Sequence, residues 1–189
     1  MKIYTRTGDD GTTGLLFGGR VRKDDASPVA YGEVDEAQAQ MGVARALAGA
    51  GTELDELLVS LQRDLWVLMA ELATAPANRD RLTPGESSVS EAMVVRLEAL
   101  IDDVAGRFEA PTEFVVPGQD LVSAHLDVAR TVVRRAERAA LSAAGEGSSV
   151  GPYLNRLSDL LWTLARWQEG ESLATRSVPG AGTGPSGGS

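Results

Sequence analysis

Apolar residues recur three and four positions apart through five stretches of the chain, separated by polar or glycine-rich breaks. Val34, Ala37, Met41, Ala44 and Ala48 mark the first stripe and predict a helix over residues 31–48. Gly49 and Gly51 punctuate it, and Leu54, Leu57, Leu58, Leu61, Leu65, Leu68 and Leu72 then form the cleanest helical face, ending near Pro76. A third stripe runs through Met93, Leu97, Leu100, Ile101, Val104 and Phe108, with Ser88 or Ser90 as its N-cap. The fourth helix is expected over residues 121–144 and the fifth over 153–170. Only the pieces 3–4 and 114–116 read as extended. These elements predict an all-α fold, an antiparallel bundle of five helices.

Between the stripes, residues 75–90 (APANRDRLTPGESSVS) are polar and rich in breakers, and predict a mobile connection. The stretch from Arg176, RSVPGAGTGPSGGS, holds almost no apolar side chain to offset the entropy of ordering and predicts a disordered tail over 176–189. The 189 residues otherwise suit one domain, over residues 1–175.

Charge and residue usage narrow the chemistry. A formal net charge of −9 argues against nucleic-acid binding, which requires a basic footprint. With no cysteine there are no disulfides, thiolate metal sites or cysteine nucleophiles, and a cytoplasmic location is expected. The single histidine, His125, argues against a multi-histidine metal site and a Ser-His-Asp triad. No apolar run reaches membrane-spanning length, and no signal-peptide pattern opens the chain. Carboxylates, guanidinium groups, backbone amides and a bound small molecule are left to do the work.

Two segments invite an anion. In TRTGDDGTTGLLFGGRVRK, residues 5–23, the repeated glycines let backbone amides approach a ligand, and threonines and basic residues surround them. It is not a Walker loop, since Arg20-Val21 stands where Lys-Ser/Thr is required. A flexible glycine-rich arm is the alternative. Asp9 and Asp10 oppose a bare polyphosphate, which leaves them to cap a turn or to serve an accompanying magnesium ion indirectly. In ARTVVRRAERAA, residues 129–140, Arg130, Arg134 and Arg138 stand at i, i+4 and i+8 beside a packed face of Ala129, Val132, Val133, Ala136 and Ala140. Such a ridge repels itself unless anions meet it; Asp127 and Glu137 offset part of the charge within the helix. The alternative is a solvated helix with internal ion pairs. Glu33, Asp35 and Glu36 stand near the expected start of the first helix, where the helix dipole favours two of them and a third is available to an external partner. Asn155 and Asp159 share a face of the fifth helix.

Taken together, YTRTGDDGTTGL, GEVDEAQAQMG, FVVPG, ARTVVRRAERAA and YLNRLSD, in this order along the chain, resemble the PduO-type ATP:corrinoid adenosyltransferases. The resemblance implies a five-helix bundle forming a homotrimer with active sites at subunit interfaces. It implies transfer of the 5′-deoxyadenosyl group of ATP to Co(I) of cobalamin, with magnesium present and triphosphate released. A reductase and an adenosylcobalamin-dependent enzyme would be further partners. Carried onto matching positions, Thr5, Arg6, Thr7, Gly8, Thr13 and Lys23 would line the ATP site from the loop. Arg134, Glu137, Arg138 and Asn155 would line it from the helices, with Arg134 and Arg138 acting on the triphosphate. Asp35 would pair across the interface with Arg130, and Phe114 would sit below the corrin ring and displace the lower axial ligand of cobalt.

Two positions depart from the family pattern: Gln119 where a second glycine follows Pro-Gly, and Asp127 where Leu-His is usual. His125 does not occupy that histidine's position and receives no role. The rival readings are a non-catalytic bundle that binds a nucleotide as a regulator and a scaffold whose arginines serve only an interface.

Overall fold

A computed structural model of the chain describes residues 3–178. Five α-helices carry the fold: α1 Ala26–Ala48, α2 Glu53–Leu72, α3 Glu91–Ala105, α4 Leu121–Ala140 and α5 Val150–Glu169. α1 packs on α2 and α4, and α5 packs on α4 and α3. Every stripe residue predicted for α1 except Ala48, which is partly covered, is fully buried. So are Leu58, Leu61, Leu65 and Leu68 of α2, and they meet Leu154, Leu157, Leu161 and Leu164 of α5 in one continuous core.

Three boundaries differ from the sequence pattern. α1 begins five residues early because Pro28 in its first turn needs no N–H partner there, and Pro28 and Ala30 extend the buried face. Glu33, Asp35 and Glu36 therefore lie beyond the first turn, and the helix dipole does not account for them. α4 stops at Ala140, followed by turns through 144, and α5 starts at Val150. Asp120 begins α4, its carboxylate accepting from the amides of Val122 and Ser123 at 2.7 and 3.1 Å.

The strands are not those expected. Thr12–Gly14 and Arg20–Arg22 form an antiparallel hairpin, β1 and β2, with Thr13 opposite Val21. Residues 3–4 form no strand, and of 114–116 only Val115 makes a bridge, to Ala174. Three-residue polar strands leave almost no alternation to read. Of the expected tail, 176–178 are described and include the end of a 3-10 turn at Thr175–Ser177; the remainder lies outside the described residues.

Residues 75–90 are also more ordered than their composition suggests. Pro76–Arg81 forms a 3-10 turn, and Arg79 donates to the carbonyl of Ala143 at 2.7 Å, fastening the turn to the end of α4. Buried Glu71 of α2 accepts the amide of Val89 at 2.7 Å and the hydroxyl of Ser148. One carboxylate thus ties the entry to α3 and the α4–α5 turn to α2. Glu71→Leu leaves that amide buried without an acceptor, and we expect a loss of about 1–3 kcal/mol in urea unfolding; an unchanged midpoint would remove this tie from the account.

Candidate functional site

The loop before α1 is a folded structure. Asp10 accepts from the amide of Thr12 at 2.9 Å and from its hydroxyl at 2.7 Å, closing a side-chain turn. The Thr12 hydroxyl and amide, helped by the Arg20 charge, hold the Asp10 carboxyl below the usual carboxylate range. Arg20 donates to the carbonyl of Thr7 at 2.6 Å and to the Thr12 hydroxyl, drawing residues 5–12 over the hairpin. Of the two acids that oppose an anion here, Asp10 is therefore a turn cap; Asp9 is exposed.

The hydroxyls of Thr5 and Thr7 are 2.8 Å apart. Lys23 lies across Gly8, where an added Cβ would stand 3.2 Å from the ammonium and 3.0 Å from the carbonyl of Thr12. Arg6 has left-handed backbone (φ 62°) and its guanidinium lies over the Tyr4 ring, 5.5 Å from the centroid. Thr5, Arg6, Thr7, Gly8, Thr13 and Lys23 thus belong to one exposed, tightly wound unit. It is anchored to the end of α2, where the amide of Leu16 donates to the carbonyl of Ala73 at 2.8 Å.

A second group stands on α4 and α5. Arg134 and Arg138 are exposed, and Arg138 donates to the carbonyl of Arg134 at 2.9 Å. Glu137, between them in sequence, accepts from Asn155 at 3.1 Å, and Arg156 donates to the Asn155 oxygen at 2.6 Å. Two of the predicted residues, Glu137 and Asn155, are thus joined by an interhelical hydrogen bond, beside the Arg134–Arg138 contact within α4. Among the described residues, no carboxylate pairs with Arg134 or Arg138, and no hydrogen bond or ion pair joins residues 5–23 to α4.

The rest of the arginine helix is internally satisfied. Arg135, which the ridge spacing did not single out, pairs with both Glu33 and Glu36 of α1. This pairing, not the helix dipole, explains two of the three acids, and Asp35 stays exposed. Arg130 pairs with Asp127 at 3.1 Å within α4.

A cleft of about 840 Å³ lies at the far end of this helix, lined by Phe114, Pro117, Trp162, Arg130, Asp127 and Arg166 among others. Phe114 is 90% exposed on its rim. On its floor, Arg166 is 1% exposed and donates to Asp127 at 2.6 Å, while its Nε lies 2.8 Å from Glu169. Sequence reasoning missed Arg166 and Trp162. The available signal was one cation and one anion, Arg166 and Asp127, each in the buried stripe of its helix.

Both departures from the family pattern have a structural answer. Gly118 alone adopts the left-handed backbone after Pro117 (φ 112°), so Gln119 fits without strain. Asp127 is the buried partner of Arg166. Breaking such a pair leaves part of a charge uncompensated, and Asp127→Ala should cost about 3 kcal/mol; a urea-unfolding loss under about 1 kcal/mol would mean the pair is solvated.

Known proteins share this fold and sequence pattern. The cobalamin adenosyltransferase family model matches residues 3–168. A corrinoid adenosyltransferase of Mycobacterium tuberculosis (strain ATCC 25618 / H37Rv) is 47% identical over 170 residues, covering 87% of each chain. One of Citrobacter freundii is 44% identical over 172 residues, covering 89% of this chain and 95% of its own. Among solved structures, a variant PduO-type ATP:corrinoid adenosyltransferase from Lactobacillus reuteri complexed with cobalamin and ATP superposes with a TM-score of 0.81 at 31% identity, covering 93% of this chain and 97% of that one. A second variant from the same organism, complexed with ATP, has a TM-score of 0.78 at 29% identity, covering 91% and 99%.

Proposed function

Since the chain belongs to the cobalamin adenosyltransferase family and is an ATP:corrinoid adenosyltransferase, we propose that its two anion-binding halves meet between subunits of a homotrimer. ATP then lies between the N-terminal loop of one subunit and the α4–α5 face of the next. The observation that carries this reading is the pair of exposed arginines, Arg134 and Arg138, beside the Glu137–Asn155 hydrogen bond, with no carboxylate partner among the described residues. Like charges four residues apart on a helix destabilise it, and triphosphate oxygens supply the missing counter-charge in a geometry that guanidinium forks accept bidentately.

The reaction balances without a protein nucleophile. Co(I) donates its electron pair to C5′ of ATP, the Co–C bond forms, and the C5′–O bond breaks with its electrons leaving on the triphosphate. The cofactor-derived substrate supplies the reactivity, so the protein's task is placement and charge. Thr5, Arg6, Thr7, Gly8, Thr13 and Lys23 hold the nucleotide from the loop side. Arg134 and Arg138 stabilise charge on the departing triphosphate, as preorganised donors do at a developing anion.

Magnesium fits as an ion carried by the nucleotide. The described residues hold no cluster of three acidic or histidine ligands, and magnesium commonly takes one or two carboxylates together with phosphates and water. Glu137, oriented by Asn155, is the carboxylate beside the proposed triphosphate position.

Phe114 is assigned to the face of the corrin opposite the nucleotide, where it displaces the lower axial ligand and makes Co(II) easier to reduce. Its exposed ring on the cleft rim supports this placement. Two Lactobacillus reuteri variants, one substituted at a phenylalanine and one at an arginine, are separated by the same sequence interval as Phe114 and Arg134, which supports matching these two positions to the substituted ones. Asp35, the acid of its cluster without an ion pair among the described residues, is assigned to the neighbouring subunit's Arg130. A cytoplasmic location, a reductase that delivers electrons and a mutase or dehydratase that takes the product complete the proposal.

Arg134→Ala should lower kcat by about 100-fold or more while leaving the helix intact, since alanine is the better helix former; near-normal turnover with ATP and reduced cobalamin would remove its role. Asp35→Asn should weaken both trimer assembly and ATP affinity, read by sedimentation and titration, and an unaffected variant would dissolve the intersubunit pair. Phe114→Ala should slow adenosylation starting from Co(II) far more than reaction with chemically prereduced Co(I), and equal losses would contradict the axial-ligand assignment.

A further inference from the structure

The segment that carries Phe114 has little structure of its own. Between the end of α3 and Asp120 it contains Pro111 and Pro117, which remove two backbone donors, and no regular element spans it. The backbone hydrogen bonds found for residues 108–119 run to one place, the chain just after α5. The amide of Val116 donates to the carbonyl of Leu173, and the amide of Thr175 donates to the carbonyl of Phe114, both at 2.8 Å. Val115 and Ala174 form an antiparallel bridge between them. Arg176 and Glu113 extend the pairing at 3.7 Å, and Thr175 and Arg176 themselves line the cleft.

We infer that residues 173–176 are a positioning strap for Phe114, holding its backbone so that the ring projects over the corrinoid cleft. The family match ends at residue 168, so the strap lies beyond the matched core. The argument is one of entropy. An exposed phenylalanine on a proline-bounded loop samples many directions, and displacing a cobalt ligand requires the ring at one place. Two backbone hydrogen bonds across a short antiparallel bridge fix the residue by its main chain and leave its side chain free to meet the corrin. Turnover starting from Co(II) therefore depends on residues that touch neither ATP nor cobalt. Nothing in the strap touches the N-terminal loop or the Arg134–Arg138 face by any hydrogen bond or ion pair among the described residues, so the nucleotide half of the site is independent of it.

This inference rests on the reading of Phe114 above, and the experiment separates the two. Thr175 opens a 3-10 turn, and Ala174 before it is extended (φ −66°, ψ 133°), which is the conformation a following proline requires. Thr175→Pro thus removes one N–H with little steric cost, and Thr175→Ala removes the same side chain but keeps it. Relative to T175A, T175P should slow adenosylation from Co(II) roughly three- to tenfold and raise KM for cobalamin, the loss of one hydrogen bond. KM for ATP and the rate with prereduced Co(I) should change less than about twofold, below the effect of one such bond.

Phe114→Ala is measured alongside. If F114A is selective for the Co(II) route and T175P matches T175A, the strap is overturned while the role of Phe114 stands. If F114A slows both routes equally, the axial-ligand reading itself fails. In the unaltered protein the amides of Val116 and Thr175 should exchange slowly with solvent deuterium; exchange at the rate of an unstructured peptide would overturn the strap whatever the variants do.

Discussion

The uncompensated positive charge of Arg134 and Arg138 is the constraint on which the functional architecture turns. In α4 the neighbouring cations are satisfied at home: Arg130 by Asp127, and Arg135 by Glu33 and Glu36. The two that remain are exposed, on a helix whose opposite face is locked into the core by Ala129, Val132, Val133 and Ala136. A rigid helix that presents like charges one turn apart keeps them close whatever solvent does, so their repulsion persists until an anion arrives. The fixed spacing is what suits the pair to the polyphosphate proposed for it.

The same helix organises the rest of the molecule around that pair. Glu137 points its carboxylate to Asn155 of α5, which sets the phase of one helix against the other beside the arginines. In its first half the helix places Asp127 and Arg130 in the cleft beside Phe114. In the proposed arrangement two substrates are addressed from one rod, the nucleotide from its later turns and the corrinoid from its earlier ones. A single rigid element at both ends is a physical means of keeping C5′ and cobalt in line.

How far this was legible in the sequence depended on whether the relevant interaction was local. Arg134 and Arg138 were visible because helical spacing alone puts them on one face, and the stripes of α1, α2 and α5 were visible for the same reason. The Asp10 turn was half visible, since an aspartate two residues before a threonine in a glycine-rich loop reads as a cap. The hairpin was not, because strands of three residues, Thr-Thr-Gly and Arg-Val-Arg, are too short to establish an alternation. Residues 75–90 read as mobile because their order comes from Glu71 and Arg79, whose partners lie far along the chain. Arg166 went unnoticed and Asp127 stood out only as a departure from the family pattern, because their pairing depends on the rotational phase of two helices, which periodicity alone leaves open.

That pair also explains how the cleft tolerates a carboxylate where the family pattern has histidine. Arg166 lies between Glu169 on its own helix and Asp127 on the next, while Asp127 lies between Arg166 and Arg130. Two cations and two anions alternate in a row, so each buried charge has an opposite neighbour on at least one side. If Arg130 turns toward the Asp35 of an adjoining subunit, Asp127 keeps Arg166, and no buried charge is orphaned by assembly. A neutral side chain at 127 would leave Arg166 to Glu169 alone and free Arg130 entirely for the interface. The carboxylate here therefore couples the floor of the cleft to Arg130, the cation assigned above to the subunit interface, and it does so because Arg166 is there to hold its other oxygen.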